Sequence, residues 1–63
     1  MNLPLTNWRV RVEFGVYVAN IVVKARHHEE AEREARLEVE NMKRATDKKL
    51  TITDMTTTEL LLP

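Results

Sequence analysis

Residues 21–35 read IVVKARHHEEAEREA, a stretch within which the apolar residues change their spacing. Up to Ala25 they recur at every second position, with Ile21, Val23 and Ala25 pointing to one side, which predicts a half-buried strand. Beyond the two histidines the small and apolar residues recur every three or four positions, which predicts an amphipathic helix. The chain is therefore expected to pass from a strand into a helix at His27.

The helix is predicted over residues 28–45. Glutamates cluster near its positive N-terminal end, and Lys43 and Arg44 lie near its negative C-terminal end, as the helix dipole favours. His27 takes the N-cap position, and Glu30 is expected to reach back to it as in a capping box. The residues expected to face inward are Ala31, Ala35, Val39 and Met42.

A first strand is predicted over residues 8–14, where apolar and charged residues alternate strictly. The connection to the next strand has two solutions, because residues 16–18 strongly favour strands. Either Gly15, the only glycine in the chain, begins the loop, or both strands run longer and Ala19 and Asn20 form the turn. The apolar side of this first strand consists of Trp8, Val10, Val12 and Phe14.

A third short strand is predicted over residues 50–53, where apolar residues alternate with threonines. It is expected to pair antiparallel with the first strand, which then becomes the central one, and the crossover through the helix should be right-handed. The prediction is an α+β fold in the order ββαβ, a three-stranded, mainly antiparallel sheet with one amphipathic helix packed on one face. It forms a single domain, with a lead-in at 1–7, a core at 8–53, and a tail or extra edge strand at 54–63.

Composition excludes several classes of function. Ten basic and ten acidic side chains give zero net charge, which argues against duplex nucleic acid as the main partner because phosphate neutralisation needs a positive excess. The longest apolar run, at residues 16–19, is far shorter than the roughly 18 residues that span a bilayer. The first residues also lack the pattern of a secretory signal. We therefore expect a cytoplasmic protein without a membrane partner.

No residue cluster carries catalytic or metal-binding chemistry. His27 and His28 are adjacent and point in different directions, and His28 with Glu32 supplies too few ligands for zinc. The chain has no serine or cysteine to act as a nucleophile, and its carboxylates lie on a predicted solvated helix. We expect no enzymatic activity, no cofactor and no bound metal.

One flank of the helix is a candidate for binding a protein partner. Its glutamates follow one another at four-residue spacing, and such like-charged neighbours weaken a helix. Leu37 lies beside them, off the apolar stripe, so an acidic surface around an exposed leucine predicts docking of a basic partner. The alternatives are that Arg9, Arg11 or Lys24 neutralises the flank, or that the glutamates have no role. The flank consists of Glu30, Glu34, Leu37, Glu38 and Asn41.

The open face of the sheet is the second candidate surface. It is expected to carry basic residues, of which Arg9 and Arg11 are counted among the partner-binding residues. Single-stranded nucleic acid would need aromatic platforms there, and Trp8 and Phe14 are assigned to the core, so nucleic acid is not the expected partner. The residues predicted on this face are Arg9, Arg11, Lys24, Val22, Thr51 and Thr53.

The C-terminal leucines Leu60, Leu61 and Leu62 cannot all be buried in the thin core of a 63-residue chain. They are expected either to add a strand to a sheet edge or to cover apolar area on a second copy of the chain. This predicts self-association as a homodimer, and a homo-oligomeric structural or accessory module is the rival to a partner-blocking protein.

Residues 8–35 combine a tryptophan that opens the first strand, a valine-rich hairpin, and a spaced alanine pattern that continues into the helix. These positions are Trp8, Val12, Ile21, Val23, Ala25, Glu30, Ala31 and Ala35. In these respects the segment resembles small phage and mobile-element proteins of strand-strand-helix-strand order, among them the podophage inhibitors of bacterial RNA polymerase.

The resemblance implies a phage protein that acts in the host cytoplasm by docking on and inhibiting a host machine. RNA polymerase is the favoured target, and inhibition of a CRISPR or other defence complex is the alternative. In such inhibitors the contact uses acidic helix residues and arginines on the last strand. Residues 50–54 contain no arginine, so the chain departs from the pattern at that strand.

Overall fold

The computed structural model describes residues 4–60. The elements are β1 (Thr6–Phe14), β2 (Tyr17–Ala25), α1 (His28–Thr46) and β3 (Asp54–Glu59). The strands form one antiparallel sheet in the order β2-β1-β3, and α1 covers one of its faces. The predicted α+β fold of ββαβ order, with the first strand in the centre, is confirmed. Within this part of the chain, no helix has both the length and the apolar character needed to cross a membrane.

The hairpin between β1 and β2 turns at Gly15 and Val16, directly after the pair formed by Phe14 and Tyr17. Gly15 has φ +68°, and a glycine at the first of two loop positions is the signature of a type II′ turn. Of the two predicted turns, the one beginning at Gly15 is therefore right. The alternative turn is wrong, because Ala19 pairs with Val12 inside the ladder.

Gly15→Ala should lower the free energy of unfolding by about 1–3 kcal/mol, because a side chain at positive φ strains the backbone. A Cβ at this position would meet nothing within 4 Å, so the loss would come from conformation and not from a clash. Val16→Ala is the control, since Val16 is 90% exposed and should change stability by less than about 0.5 kcal/mol. Urea unfolding of both variants measures the difference. Equal losses would contradict the assignment of the turn.

The third strand lies further along the chain than predicted. Residues 50–53 are not a strand; instead Leu50 and Ile52 pack against the core as partly buried residues of the connector. The strand is Asp54–Glu59, within the segment predicted as a tail or extra edge strand. Alternation at 50–53 was misleading because a connector that covers the core at one end of a hairpin also buries every second residue. β1 likewise begins at Thr6, inside the predicted lead-in.

Thr53 joins the connector to the hairpin. Its N–H donates to the carbonyl oxygen of Glu13 over 2.8 Å, and its hydroxyl donates to the same oxygen over 3.1 Å. The Gly15 N–H in turn donates to the Thr53 hydroxyl oxygen over 3.0 Å. These bonds hold the start of β3 against the end of β1.

The predicted helix is confirmed, and α1 ends one residue later than expected. His27 is its N-cap, with an extended backbone, and its Nδ1 accepts a hydrogen bond from the Glu30 N–H over 3.3 Å. Asp47 ends the helix in the left-handed conformation at φ 55°, where its N–H donates to the Lys43 carbonyl oxygen over 2.9 Å. Both ends of α1 therefore have backbone groups satisfied locally.

The core lies between α1 and the helix-facing side of the sheet. From the helix, Ala31 and Ala35 are fully buried and Val39 almost so, as predicted, whereas Met42 is only half-buried. Two of these contacts are alanines, and small side chains let the helix approach the sheet closely. The buried residues are Val10, Val12, Phe14, Ala25, Ala31, Ala35 and Val39, and the predicted core residues Trp8, Ile21, Val23 and Ile52 pack partly buried against them.

Candidate functional site

The acidic flank of α1 is defined by Glu30, Glu34, Leu37, Glu38 and Asn41. Leu37 is 55% exposed, as expected from its position off the apolar stripe. Glu38 and Asn41 are exposed, and Glu34 is half-buried. The packing that was predicted, with Leu37 outward, is therefore confirmed.

The glutamates of the acidic flank differ in their surroundings. A carboxylate oxygen of Glu30 accepts a hydrogen bond from Arg26 Nη1 over 3.3 Å, so this charge is compensated. Among residues 4–60, Glu34 and Glu38 have no cationic group within 4.0 Å. Within the described part of the chain, two of the three carboxylates of the flank therefore have no counter-charge.

Arg26 is a site residue that the sequence analysis missed. The expected source of neutralising cations was the open face of the sheet, but the cation that reaches the flank follows directly after β2. Its four-residue spacing from Glu30 was the signal that could have found it, since residues so spaced are neighbours on a helix. Arg26 precedes α1, so it does not belong to the charge pattern of the predicted helix.

The acidic flank lies on the side of α1 that faces the outer edge of β2. On the other side of the buried stripe, the His28 ring packs edge-on against the ring of Trp8 in β1, with the ring centroids 6.3 Å apart. The Nδ1 atom of His28 is 3.4 Å from a Glu32 carboxylate oxygen. At roughly 100° per residue, Glu34 is on the side opposite to His28 and Glu32. Arg26, which directly follows β2, pairs with Glu30 of the acidic flank, and we infer from this that the flank overlooks the outer edge of β2. A right-handed crossover gives the same placement.

The open face of the sheet carries Arg9, Arg11, Lys24 and Val22, as predicted, because these residues alternate with those that face α1. Arg11 Nη1 is 2.8 Å from a Glu13 carboxylate oxygen on the same strand. The prediction that threonines 51 and 53 share this face is wrong, since both lie in the connector. Their places opposite the two arginines are taken by Thr56 and Thr58 of β3.

The predicted partner-binding residues therefore form two surfaces and not one. Arg9 and Arg11 point away from the side of the sheet that α1 covers, whereas the acidic flank belongs to α1 itself. A single flat partner surface cannot contact both at once. The acidic flank and the basic open face have to be considered as separate candidates.

The terminal leucines are described only in part. Leu60 is half-buried, and its N–H donates to the Asn7 carbonyl oxygen over 2.9 Å, which extends the pairing of β3 with β1 by one bond. Leu61 and Leu62 lie outside the described residues. Self-association through these three leucines stays a prediction.

Two shallow grooves meet at the hairpin end of the molecule. The more apolar one has a volume of about 200 Å³ and runs between the start of β2 and the last turns of α1. In the part of the chain that the structure describes, no three His, Asp or Glu side chains are grouped as they would be around a metal ion. The residues that line the groove are Phe14, Tyr17, Val18, Ala19, Met42, Thr46, Lys48 and Leu50.

Comparison of the chain with protein-family models, curated proteins and solved structures found no match. The resemblance to podophage inhibitors of RNA polymerase stays a prediction. β3 reads DMTTTE, so the arginines that the resemblance implies on the last strand are absent from the observed strand as well as from the predicted one.

Proposed function

We propose that this protein acts by binding a basic partner protein through the acidic flank of α1. The observation that carries this proposal is Leu37, which is 55% exposed beside Glu34 and Glu38, two carboxylates with no internal counter-charge among residues 4–60. An apolar side chain surrounded by charge of one sign supplies both contact area and steering toward a surface of opposite sign.

The acidic flank is poorly explained by folding alone. Glu30, Glu34 and Glu38 are like charges at four-residue spacing, and each such pair weakens a helix by about 0.2–0.5 kcal/mol. The opposite side of α1 follows the favourable rule instead: Lys43 Nζ is 3.3 Å from a carboxylate oxygen of Glu40. One side of the helix is thus arranged for stability and the other is not, which is the contrast expected where one side binds a partner.

The resemblance of residues 8–35 supplies the first partners to test. Small podophage proteins of the same element order inhibit bacterial RNA polymerase, so we propose that this protein blocks that enzyme in the host cytoplasm. A CRISPR or other defence complex is the next candidate. A positively charged contact surface on the target is the property that the acidic flank requires in either case.

A self-associating structural module is the second candidate function. It is favoured by Leu60, which is half-buried at the end of β3 and leads into two further leucines. Sedimentation equilibrium distinguishes the two functions. A stable dimer that dissociates when residues 59–63 are removed, and that binds no host protein, would favour the structural module.

Reversing the charges of Glu34 and Glu38 should weaken partner binding. We expect Glu34→Lys with Glu38→Lys to weaken binding to purified bacterial RNA polymerase by at least about tenfold, the equivalent of ~1.4 kcal/mol. Affinity is measured by biolayer interferometry with the immobilised chain, and circular dichroism verifies that each variant is folded.

The matched control is Glu29→Lys with Glu32→Lys, which changes the net charge equally on the other side of α1 and away from Leu37. It should keep affinity within about threefold, because rim charges far from a contact act mainly on the association rate. If both double variants lose affinity to the same extent, the acidic flank is not the docking surface. Absence of binding to polymerase and to defence complexes would reject the named targets.

A further inference from the structure

Among residues 4–60, no strand pairs with the outer edge of β2, so this edge presents unpaired backbone groups. β1 directs the carbonyl groups of Asn7 and Glu13 toward β3, where they accept from the N–H groups of Leu60 and Thr53. Alternate residues of a strand direct their backbone groups to opposite sides, so the even-numbered residues of β1 bond to β2. In the observed register these lie opposite odd-numbered residues of β2. The residues whose N–H and C=O groups point outward are therefore Val18, Asn20, Val22 and Lys24.

Lys24 is the one feature of this edge that commonly protects an edge strand. β2 is nine residues long, pairs with β1 without a bulge, and contains no proline and one charged residue, Lys24. Val18 and Val22 are 46% and 61% exposed on its open face. Long, regular edges of this kind are templates for pairing with a further strand.

The charge beside the edge indicates what that further strand would be. A strand paired to β2 lies about 4.8 Å beyond it and sends alternate side chains to the two faces of the sheet. On the helix side those side chains would lie beneath Glu34 and Glu38, and on the open side they would lie beside Val18 and Val22.

We propose that the outer edge of β2 binds an extended segment of the partner protein by strand addition. The segment alternates Lys or Arg, facing the acidic flank, with apolar or β-branched residues, facing Val18 and Val22. This inference rests on the proposed function and specifies how the partner binds: the backbone of β2 supplies hydrogen bonds and the acidic flank supplies selection for charge.

A second copy of the chain fits this edge less well than a basic segment does. Antiparallel pairing of β2 with its counterpart along the full strand would place Ile21 on the two-fold axis, with both helices on the same face. The acidic flanks of the two copies would then face each other across the axis. Like charges brought together in this way oppose assembly, whereas a basic segment neutralises them.

Amide hydrogen exchange with a synthetic peptide tests the inference directly. The probe is acetyl-RVRVRVRVR-amide, and acetyl-EVEVEVEVE-amide is its charge-reversed control. In the free protein the amides of Val18, Asn20, Val22 and Lys24 should exchange fast, and those of the odd-numbered residues of β2 slowly. The basic peptide should slow the four outward amides by at least about tenfold, while the acidic peptide leaves them unchanged. Binding of the basic peptide without this protection would overturn strand addition.

Asn20→Pro removes one outward N–H from β2 and leaves the bonds to β1 in place, since proline is tolerated on the free side of an edge strand. It should weaken binding of the basic peptide and of the partner by at least about tenfold, whereas Asn20→Thr should keep both. Slow exchange of the odd-numbered amides of β2 shows that the variant is folded.

The two proposals fail in different ways. If the charge reversal at Glu34 and Glu38 weakens partner binding but Asn20→Pro does not, the acidic flank binds the partner and strand addition is wrong. If neither change affects partner binding, the proposed function is wrong as well. A dimer in sedimentation that Asn20→Pro dissociates would show that a second copy occupies the edge, which also overturns the inference.

Discussion

Phe14→Ala should lower the free energy of unfolding by about 3–5 kcal/mol, the usual loss when a buried aromatic side chain is truncated. Phe14 is the last residue of β1 and 8% exposed, and it is the one aromatic residue in the buried core described here. A chain of 63 residues has a total stability of about 3–9 kcal/mol at ~0.05–0.15 kcal/mol per residue. The substitution is therefore expected to remove at least about a third of the total stability.

Tyr17→Ala is the matched control for this prediction. Tyr17 pairs with Phe14 across the hairpin, yet it is 70% exposed, so its truncation removes a cross-strand contact and little burial. Such a contact contributes about 0.2–1 kcal/mol. Urea unfolding followed by circular dichroism measures both variants. Similar losses at the two positions would mean that Phe14 does not fill the core as described.

Ala35→Leu should destabilise the protein by about 1–3 kcal/mol, because added methyl groups in a filled interior force side chains and backbone apart. Ala35 is fully buried where α1 meets the sheet, and the layer it belongs to is the whole core of the molecule among residues 4–60. A loss of 1 kcal/mol lowers the melting temperature of a domain of this size by about 4–8 °C. Thermal unfolding by circular dichroism therefore resolves the effect.

Leu37→Ala replaces a large side chain by a small one, the reverse of Ala35→Leu, at a position two residues after Ala35. Leu37 is 55% exposed, so its truncation should change the free energy of unfolding by less than about 0.5 kcal/mol. The same variant should weaken partner binding, because Leu37 is the apolar part of the acidic flank. Destabilisation by Leu37→Ala comparable to that by Ala35→Leu would place Leu37 in the interior and remove the basis of the proposed function.

Features that depend on neighbouring residues were predictable from the sequence. The change of apolar period near His27 places the end of β2 and the start of α1, and the inward positions of α1 follow from the same period. His27 could be predicted as the N-cap because the capping hydrogen bond joins its side chain to the N–H of Glu30, only three residues later. These features were found because each depends on interactions that span four residues or fewer.

The candidate site was predictable only in its parts. The exposure of Leu37 and the grouping of the glutamates follow from the helical period, and both are confirmed. The ion pair of Arg26 with Glu30 was missed because Arg26 lies in the bend between two elements. Arg9 belongs to a surface separate from the acidic flank because α1 covers the other face of the sheet. The pattern of charges in the sequence does not reveal which face the helix covers.

The sequence by itself determined the order of the elements, the bounds of α1 to one residue and the inward sides of β1 and β2. These features follow from periods of two and 3.6 residues, which are visible in any amphipathic segment. The tertiary structure decided which segment became β3 and which strand became the outer edge opposite to it. Residues 50–53 alternate apolar residues with threonines, whereas Met55 is the one apolar residue of 54–59. The strand nevertheless forms at 54–59, because that segment pairs with β1 after the Thr53 N–H bonds to Glu13. Hydrogen bonds between residues forty positions apart leave no trace in local spacing.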